Sequence, residues 1–159
     1  MRRRDRQQSE EFARNLIEVA PYGVLSMATL DGRPYAIPIS HALAGNIIYV
    51  HSATEGTKLQ RIAANPQVVF SCVGKIHTLP SEFSTEYESA IVHGIATLVS
   101  DENEKREALR AIAHKYSPNY KEEAEQYIER SGNHTTVIAI RIESITAKAK
   151  LPKKEVAHD

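Results

Sequence analysis

The chain has 159 residues, which fits one domain and suffices for a sizeable buried core. Its 20 basic residues cancel its 20 acidic ones, so no net field favours a polyanion and no nucleic-acid partner is expected. No apolar run approaches the roughly 20 residues of a membrane helix, so no membrane partner is expected either.

The N-terminal basic run of Arg2, Arg3, Arg4 and Arg6 precedes no apolar segment. It reads as a solvated tail or first helical turn rather than a secretory signal, and a cytoplasmic location follows by default. Residues 5–20 read as a helix with Phe12, Leu16 and Val19 on one face, stopped by Pro21. Two apolar runs, from Gly23 to Leu30 and from Pro34 to Ser40, flank Asp31-Gly32 and predict a hairpin, because glycine supplies the positive φ of the turn. A second hairpin around Gly45-Asn46 leads into the run Ile47 to His51.

Ser52-x-x-Glu55 matches a capping box and predicts a helix from there to about Ala64, ended by Asn65-Pro66. Strands are expected over Gln67–Lys75 and Glu88–Ser100, with a loop over Ile76–Tyr87 between them. Cys72, the only cysteine, lies in the first of these and reads as a buried structural thiol. Asp101-x-x-Glu104 caps a further helix with Leu109, Ile112, Ala113 and Tyr116 on one stripe. A short charged helix over 121–130 and strands Thr136–Arg141 and Glu143–Lys148 complete a single domain, with tails at 1–4 and 150–159. Six or so strands with mostly hairpin links, plus peripheral helices, predict a mainly β antiparallel barrel.

Chemistry is best sought in Tyr49 to Lys58, where a strand gives way to a helix. Such a junction offers free N–H groups and the positive end of a helix dipole, the makings of a phosphate site. Ser52 and Thr57 add hydroxyls and Lys58 a point charge. Read structurally, Ser52 is merely an N-cap and Lys58 a surface lysine, and the spacing by itself only suggests a ligand. His41, His51, His77 and His93 fall on or near strands without zinc-site spacing, so no metal site is expected. Tyr116, Tyr120 and Tyr127 read as core or interface packing.

Six motifs in order carry a resemblance. They are Arg-Arg-x-Asp-Arg from Arg2, Gly-Val-Leu-Ser from Gly23, Asp-Gly-x-Pro-Tyr-x-x-Pro from Asp31, His-Ser-Ala-x-Glu-Gly-x-Lys from His51, Asn-Pro-x-Val from Asn65 and Tyr-Glu-Ser-x-x-x-x-Gly from Tyr87. Over residues 2–148 the chain resembles the pyridoxamine 5′-phosphate oxidase-like flavoproteins, and within them the nitroimidazole-resistance branch. The resemblance implies a six-stranded antiparallel split barrel and a homodimer with FMN between protomers. It places Pro38, Ile39, Ser40 and His41 against the isoalloxazine, largely through backbone groups. His51, Ser52 and Ala53 would border the ring and ribityl chain, Thr57 and Lys58 hold the phosphate, and Ser89 approach from a neighbouring strand.

The chain departs from the oxidase itself. Ala36-Ile37-Pro38-Ile39 lacks that enzyme's basic phosphate ligand, and the end from Lys148 to Lys154 has no arginine to recognise pyridoxal phosphate. The expected function is an FMN-dependent oxidoreductase acting on a nitroaromatic or similar small molecule, with His51 as the proton donor. A haem- or flavin-binding module without fast turnover is the alternative, and a pyridoxamine 5′-phosphate oxidase comes third.

Overall fold

The computed structural model describes residues 3–152; Arg2, Lys153, Lys154 and the outer parts of both expected tails lie outside them. In chain order the elements are β1 (Gln7–Gln8), α1 (Glu10–Val19), β2 (Gly23–Ala28), β3 (Pro34–Ile39), β4 (Ala42–Ala44), β5 (Ile47–Ala53) and α2 (Thr57–Ala64). Then follow β6 (Gln67–Leu79), β7 (Ser84–Leu98), α3 (Glu102–Tyr116), α4 (Lys121–Ser131) and β8 (Thr135–Lys150). All strand pairings are antiparallel, and they form one sheet in the order β3-β2-β6-β7-β8-β5-β4, with β1 on β8. The fold is the expected split barrel, with eight strands rather than six and an open seam.

That seam has a simple origin. The two sheet edges, β3 and β4, are consecutive in sequence and joined by Ser40 and His41 alone, so the edges meet without pairing. Proline at Pro38 suits such an edge, since it has no N–H to offer a ladder. The barrel interior is filled by Leu25, Ile48, Val50, Phe70, Val92, Ile138 and Ile140, all fully buried. A second, smaller core lies on the outer face of β5 and β8, where α3 covers Tyr49, Val137 and Ala139.

Several expected boundaries shift. The first helix begins at Ser9, whose side chain accepts from the Phe12 N–H at 3.1 Å; before it Arg4–Arg6 form a 3-10 turn and β1 pairs with β8. Its buried face is Ala13, Leu16 and Ile17, and Val19 is 74% exposed rather than inward. The loop expected over Ile76–Tyr87 is instead the tip of a long β6–β7 hairpin. A bulge between Val73 and Ile76 breaks the apolar alternation there, while backbone pairing continues to Leu79 opposite Ser84. The two strands expected at the C-terminal end are one, and Lys150, expected to begin a tail, is its last residue, opposite Tyr87.

The break anticipated between Arg141 and Glu143 is another register shift, where His93 faces Ser144 but Gly94 faces Ile142. A Cβ at Gly94 would sit 2.5 Å from the Arg141 carbonyl, so β7 can cross β8 here only without a side chain. Asp101 caps α3 as expected, accepting from the Glu104 N–H at 2.7 Å. Among the described residues no helix is long and apolar enough to cross a membrane.

Candidate functional site

The β5–α2 junction differs from a capping box. Pairing with β8 holds β5 extended through Ala53, with Ser52 opposite Thr136, and α2 starts only after Gly56 at φ 133°. That conformation favours glycine. No side chain caps α2, so its first N–H groups, at Thr57 and Lys58, are left without a capping acceptor. Ser52 is therefore not an N-cap. Its buried Oγ accepts instead from Lys58 Nζ at 2.6 Å. Among the described residues Lys58 enters no ion pair, so its charge is not neutralised by a carboxylate. An uncapped helix start beside such a lysine matches what a phosphate monoester requires.

Successive residues of β5 face opposite sides of the sheet. Val50 and Ser52 point inward, whereas His51 and Ala53 are exposed on the side that carries α3. His51 opens into a cavity of about 500 Å³ between α3 and α4. Its imidazole is held below its ordinary pKa, first by desolvation against its neighbours and then by the Lys58 charge, so the neutral ring prevails at pH 7.

His41 occupies the seam. Its ring is fully buried, edge-on to Phe70 at 4.8 Å between centroids, with Nε2 2.6 Å from the Ile17 carbonyl oxygen. So short a contact to an acceptor assigns the proton to Nε2. Among the described residues, Nδ1 is then buried without a hydrogen-bond partner. Lys115 Nζ approaches both the Ile17 oxygen and His41 Nε2 at 3.2 Å, and Cys72 Sγ lies 3.9 Å from the ring. Desolvation lowers the His41 pKa to about 4, with the Lys115 charge adding to it, and pushes the Cys72 thiol up to about 12. Cys72 is thus the inert buried thiol expected of it. The His41 backbone N–H donates to Tyr116 Oη at 3.0 Å, and that hydroxyl donates to the Pro21 carbonyl at 2.8 Å. Sequence reading missed Lys115 and Tyr116 as partners of His41. Their only sequence signal, a basic residue in the last turn of a helix, is shared by many helices.

The expected site residues are not all together in one chain. Ser52, Thr57 and Lys58 share the β5–α2 junction; His51 and Ala53 lie beside it on the other sheet face. Pro38 and Ile39 pair with Val24 and Gly23, and Ser40 and His41 cross the seam toward β5, where Ala42 faces Tyr49. The His41 side chain stays in the core, leaving only backbone for a surface ligand. Ser89 is remote. It faces Lys148, twelve residues along β8 from the Thr136 that faces Ser52, or roughly 40 Å of strand. Tyr120 and Tyr127, expected in packing, are 61% and 64% exposed at the cavity rim. Among the described residues no three His, Cys, Asp or Glu side chains gather as metal ligands.

An open antiparallel barrel with an uncapped strand-to-helix junction beside a lysine defines the class, a small split-barrel protein. The profile of the pyridoxamine 5′-phosphate oxidase family matches residues 9–149, and the chain belongs to that family. No curated protein matches it. Among solved structures it is similar to a candidate 5-nitroimidazole antibiotic resistance protein from Bacteroides thetaiotaomicron, at 22% identity and TM-score 0.72, over 89% of this chain and 84% of that one. It is similar to the conserved hypothetical protein Rv2991 from Mycobacterium tuberculosis, at 16% identity and TM-score 0.81, over 99% and 98% of the two chains. It is also similar to the FAD and haem binding protein from Mycobacterium smegmatis, at 22% identity and TM-score 0.79, over 92% and 74%. At these identities the likenesses show the fold.

Proposed function

We propose that the chain is an FMN-binding flavoprotein, a cytoplasmic homodimer with flavin between its protomers, that reduces a small planar acceptor such as a nitroaromatic. The observation that carries this reading is Lys58, a cation with no carboxylate partner among the described residues, set on the buried Ser52 hydroxyl beside the uncapped start of α2. Family membership and the fold shared with the FAD and haem binding protein from Mycobacterium smegmatis support its coarser part, flavin binding.

In this reading Lys58, Thr57 and the first N–H groups of α2 hold the phosphate. The open edge of β3 and the backbone at Ser40 and His41 lie along the ring. FMN, when bound, supplies the electron transfer, and the protein positions it and tunes its surroundings. His51, neutral at pH 7, stands beside the junction, where it would take a proton from solvent and pass it to the reduced acceptor. Ser89 is too far along the sheet to serve the site of its own chain, so in the dimer it belongs to the site of the other protomer.

A neutral exposed imidazole is also what haem iron takes as a ligand, which makes haem the second reading. The oxidase reading stays third, since β8 ends on Lys148-Ala149-Lys150 with no arginine. The test is to denature the purified protein and record the absorbance and mass of what it releases, alongside sedimentation of the intact species. A flavin spectrum with the mass of FMN and a dimer is expected. FAD, a Soret band, no chromophore, or a flavin-loaded monomer would overturn the corresponding part.

A further inference from the structure

The cavity beside His51 has features that the flavin reading does not use. Its long wall is one face of α4, where Ala124, Tyr127 and Ile128 recur at helical spacing with Tyr120 just before the helix, and its opposite wall is the C-terminal half of α3, including Ile112 and Tyr116. At about 500 Å³ it lies within the range of small-molecule pockets.

Two ties hold the walls apart and in place. On the far side of the helix pair, the Arg110 guanidinium forks onto Glu125 at 2.6 and 2.8 Å, welding α3 to α4. At the other end, Tyr116 is fixed by its bonds to the His41 N–H and the Pro21 carbonyl. The hollow is present in the folded chain without a ligand. Around it stand three tyrosine rings that are not spent on the core: Tyr116, Tyr120 and Tyr127 are 37%, 61% and 64% exposed. Such rings offer flat apolar faces that stack on planar molecules.

Charge gives the hollow a direction. Arg130 and Glu123 both line it, seven residues and so roughly 10 Å apart along α4. Among the described residues neither enters an ion pair, and the only polar bond of the Arg130 side chain is from Nε to the Gln126 carbonyl at 3.3 Å. The guanidinium fork remains available for a carboxylate, and Glu123 repels one from the opposite end.

We infer that this cavity is a binding site for planar aromatic carboxylates, with the ring between the tyrosines and the carboxylate at Arg130. Binding itself stands on the cavity alone. The consequence that such a molecule is presented to His51 as acceptor or competitor rests on the flavoprotein reading.

The test titrates the purified full-length protein, with and without added FMN, using 2-naphthoate and its neutral isostere 2-naphthamide, read by calorimetry. The parent should bind the acid about threefold or more tightly than the amide, the modest margin that an exposed charge gives. Arg130→Gln should abolish that preference while keeping amide binding. Ala124→Trp, which fills the hollow, should weaken both probes at least tenfold and leave FMN affinity unchanged. Should Ala124→Trp fail to fold, Tyr127→Ala serves, with an expected loss of about threefold or more for both probes.

Equal affinity for acid and amide in the parent, or probe binding indifferent to Ala124→Trp, would overturn the site. So would a parent that binds neither probe and becomes monomeric on Ala124→Trp, which would make the hollow a contact between copies. Naphthoate binding that follows Arg130 in a protein that takes up no FMN upholds the site and removes only the flavin reading.

Discussion

Replacing Lys58 with alanine is the most direct test of the phosphate site. In the folded chain the ammonium has one polar partner, the Ser52 hydroxyl at 2.6 Å, and no carboxylate among the described residues. Its loss removes little that the fold depends on beyond that bond, and leaves one buried hydroxyl to find another donor or a water. For a bound phosphate the loss is larger. A hydrogen bond to a charged group is worth about 1.5–3 kcal/mol, so FMN affinity should fall roughly 10- to 150-fold. Riboflavin has the same ring and side chain without the phosphate, and its affinity should change by less than about threefold. Flavin fluorescence quenching on titration into the protein measures both, with circular dichroism as the check on folding. Equal losses for FMN and riboflavin would mean that Lys58 acts through the fold and that the phosphate lies elsewhere. The same variant should raise the His51 pKa, because Lys58 is one of the two causes that depress it.

Other expectations follow from single features. His51→Ala should leave the dimer and FMN binding in place but slow reduction of a nitroaromatic by the pre-reduced protein at least about tenfold; an unaltered stopped-flow rate per flavin would retire the proton role. The depressed His41 pKa makes stability pH-dependent: the unfolded chain binds a proton near pH 6.5 that the folded chain refuses until about 4. That stability is complete above pH 6.5 and lost as pH falls toward 4, by up to roughly 3 kcal/mol. His41→Leu should flatten the difference in denaturation midpoint between pH 7 and pH 4.5, and parallel profiles for variant and parent would refute this. Gly94→Ala should destabilise by about 1–3 kcal/mol through the clash with the Arg141 carbonyl, seen as a lower thermal midpoint; an unchanged midpoint would show that β7 and β8 can part there freely.

What could be read in advance depended on whether a feature was local. Asp31-Gly32 and Gly45 make their turns with φ of 84° at Gly32 and 57° at Gly45, because a turn is specified by the residues within it. Asp101 caps its helix for the same reason. Ser52-x-x-Glu55 carried an equally good local signal and failed, because the β8 partner that keeps Ser52 extended lies far away in sequence. The long β6–β7 hairpin was hidden similarly. His77 and Thr78 look like loop residues, yet they need only a backbone partner to be strand, and find it in Glu86 and Thr85. At the candidate site, the junction with Lys58 was legible from its motif. The seam at His41 was not, since it depends on Ile17, Phe70 and Lys115 arriving from three separate elements.

The pairing of β5 with β8 also bears on how the molecule comes into being. Ile47 joins Arg141 and Ala53 joins Thr135, so the strand carrying His51 and Ser52 gains its inner neighbour only when the last strand exists. Until then β5 has only the short β4 beside it, and β7 lacks one of its two partners. A chain emerging from the ribosome can close the β2–β3 and β6–β7 hairpins early, but the junction that would receive phosphate is assembled last, by a contact of long sequence separation. Slow formation of that closure exposes apolar strand edges in the interval, a condition in which chains associate wrongly. Any ligand that binds the finished junction would draw this late step forward by mass action and so take part in folding the protein that holds it.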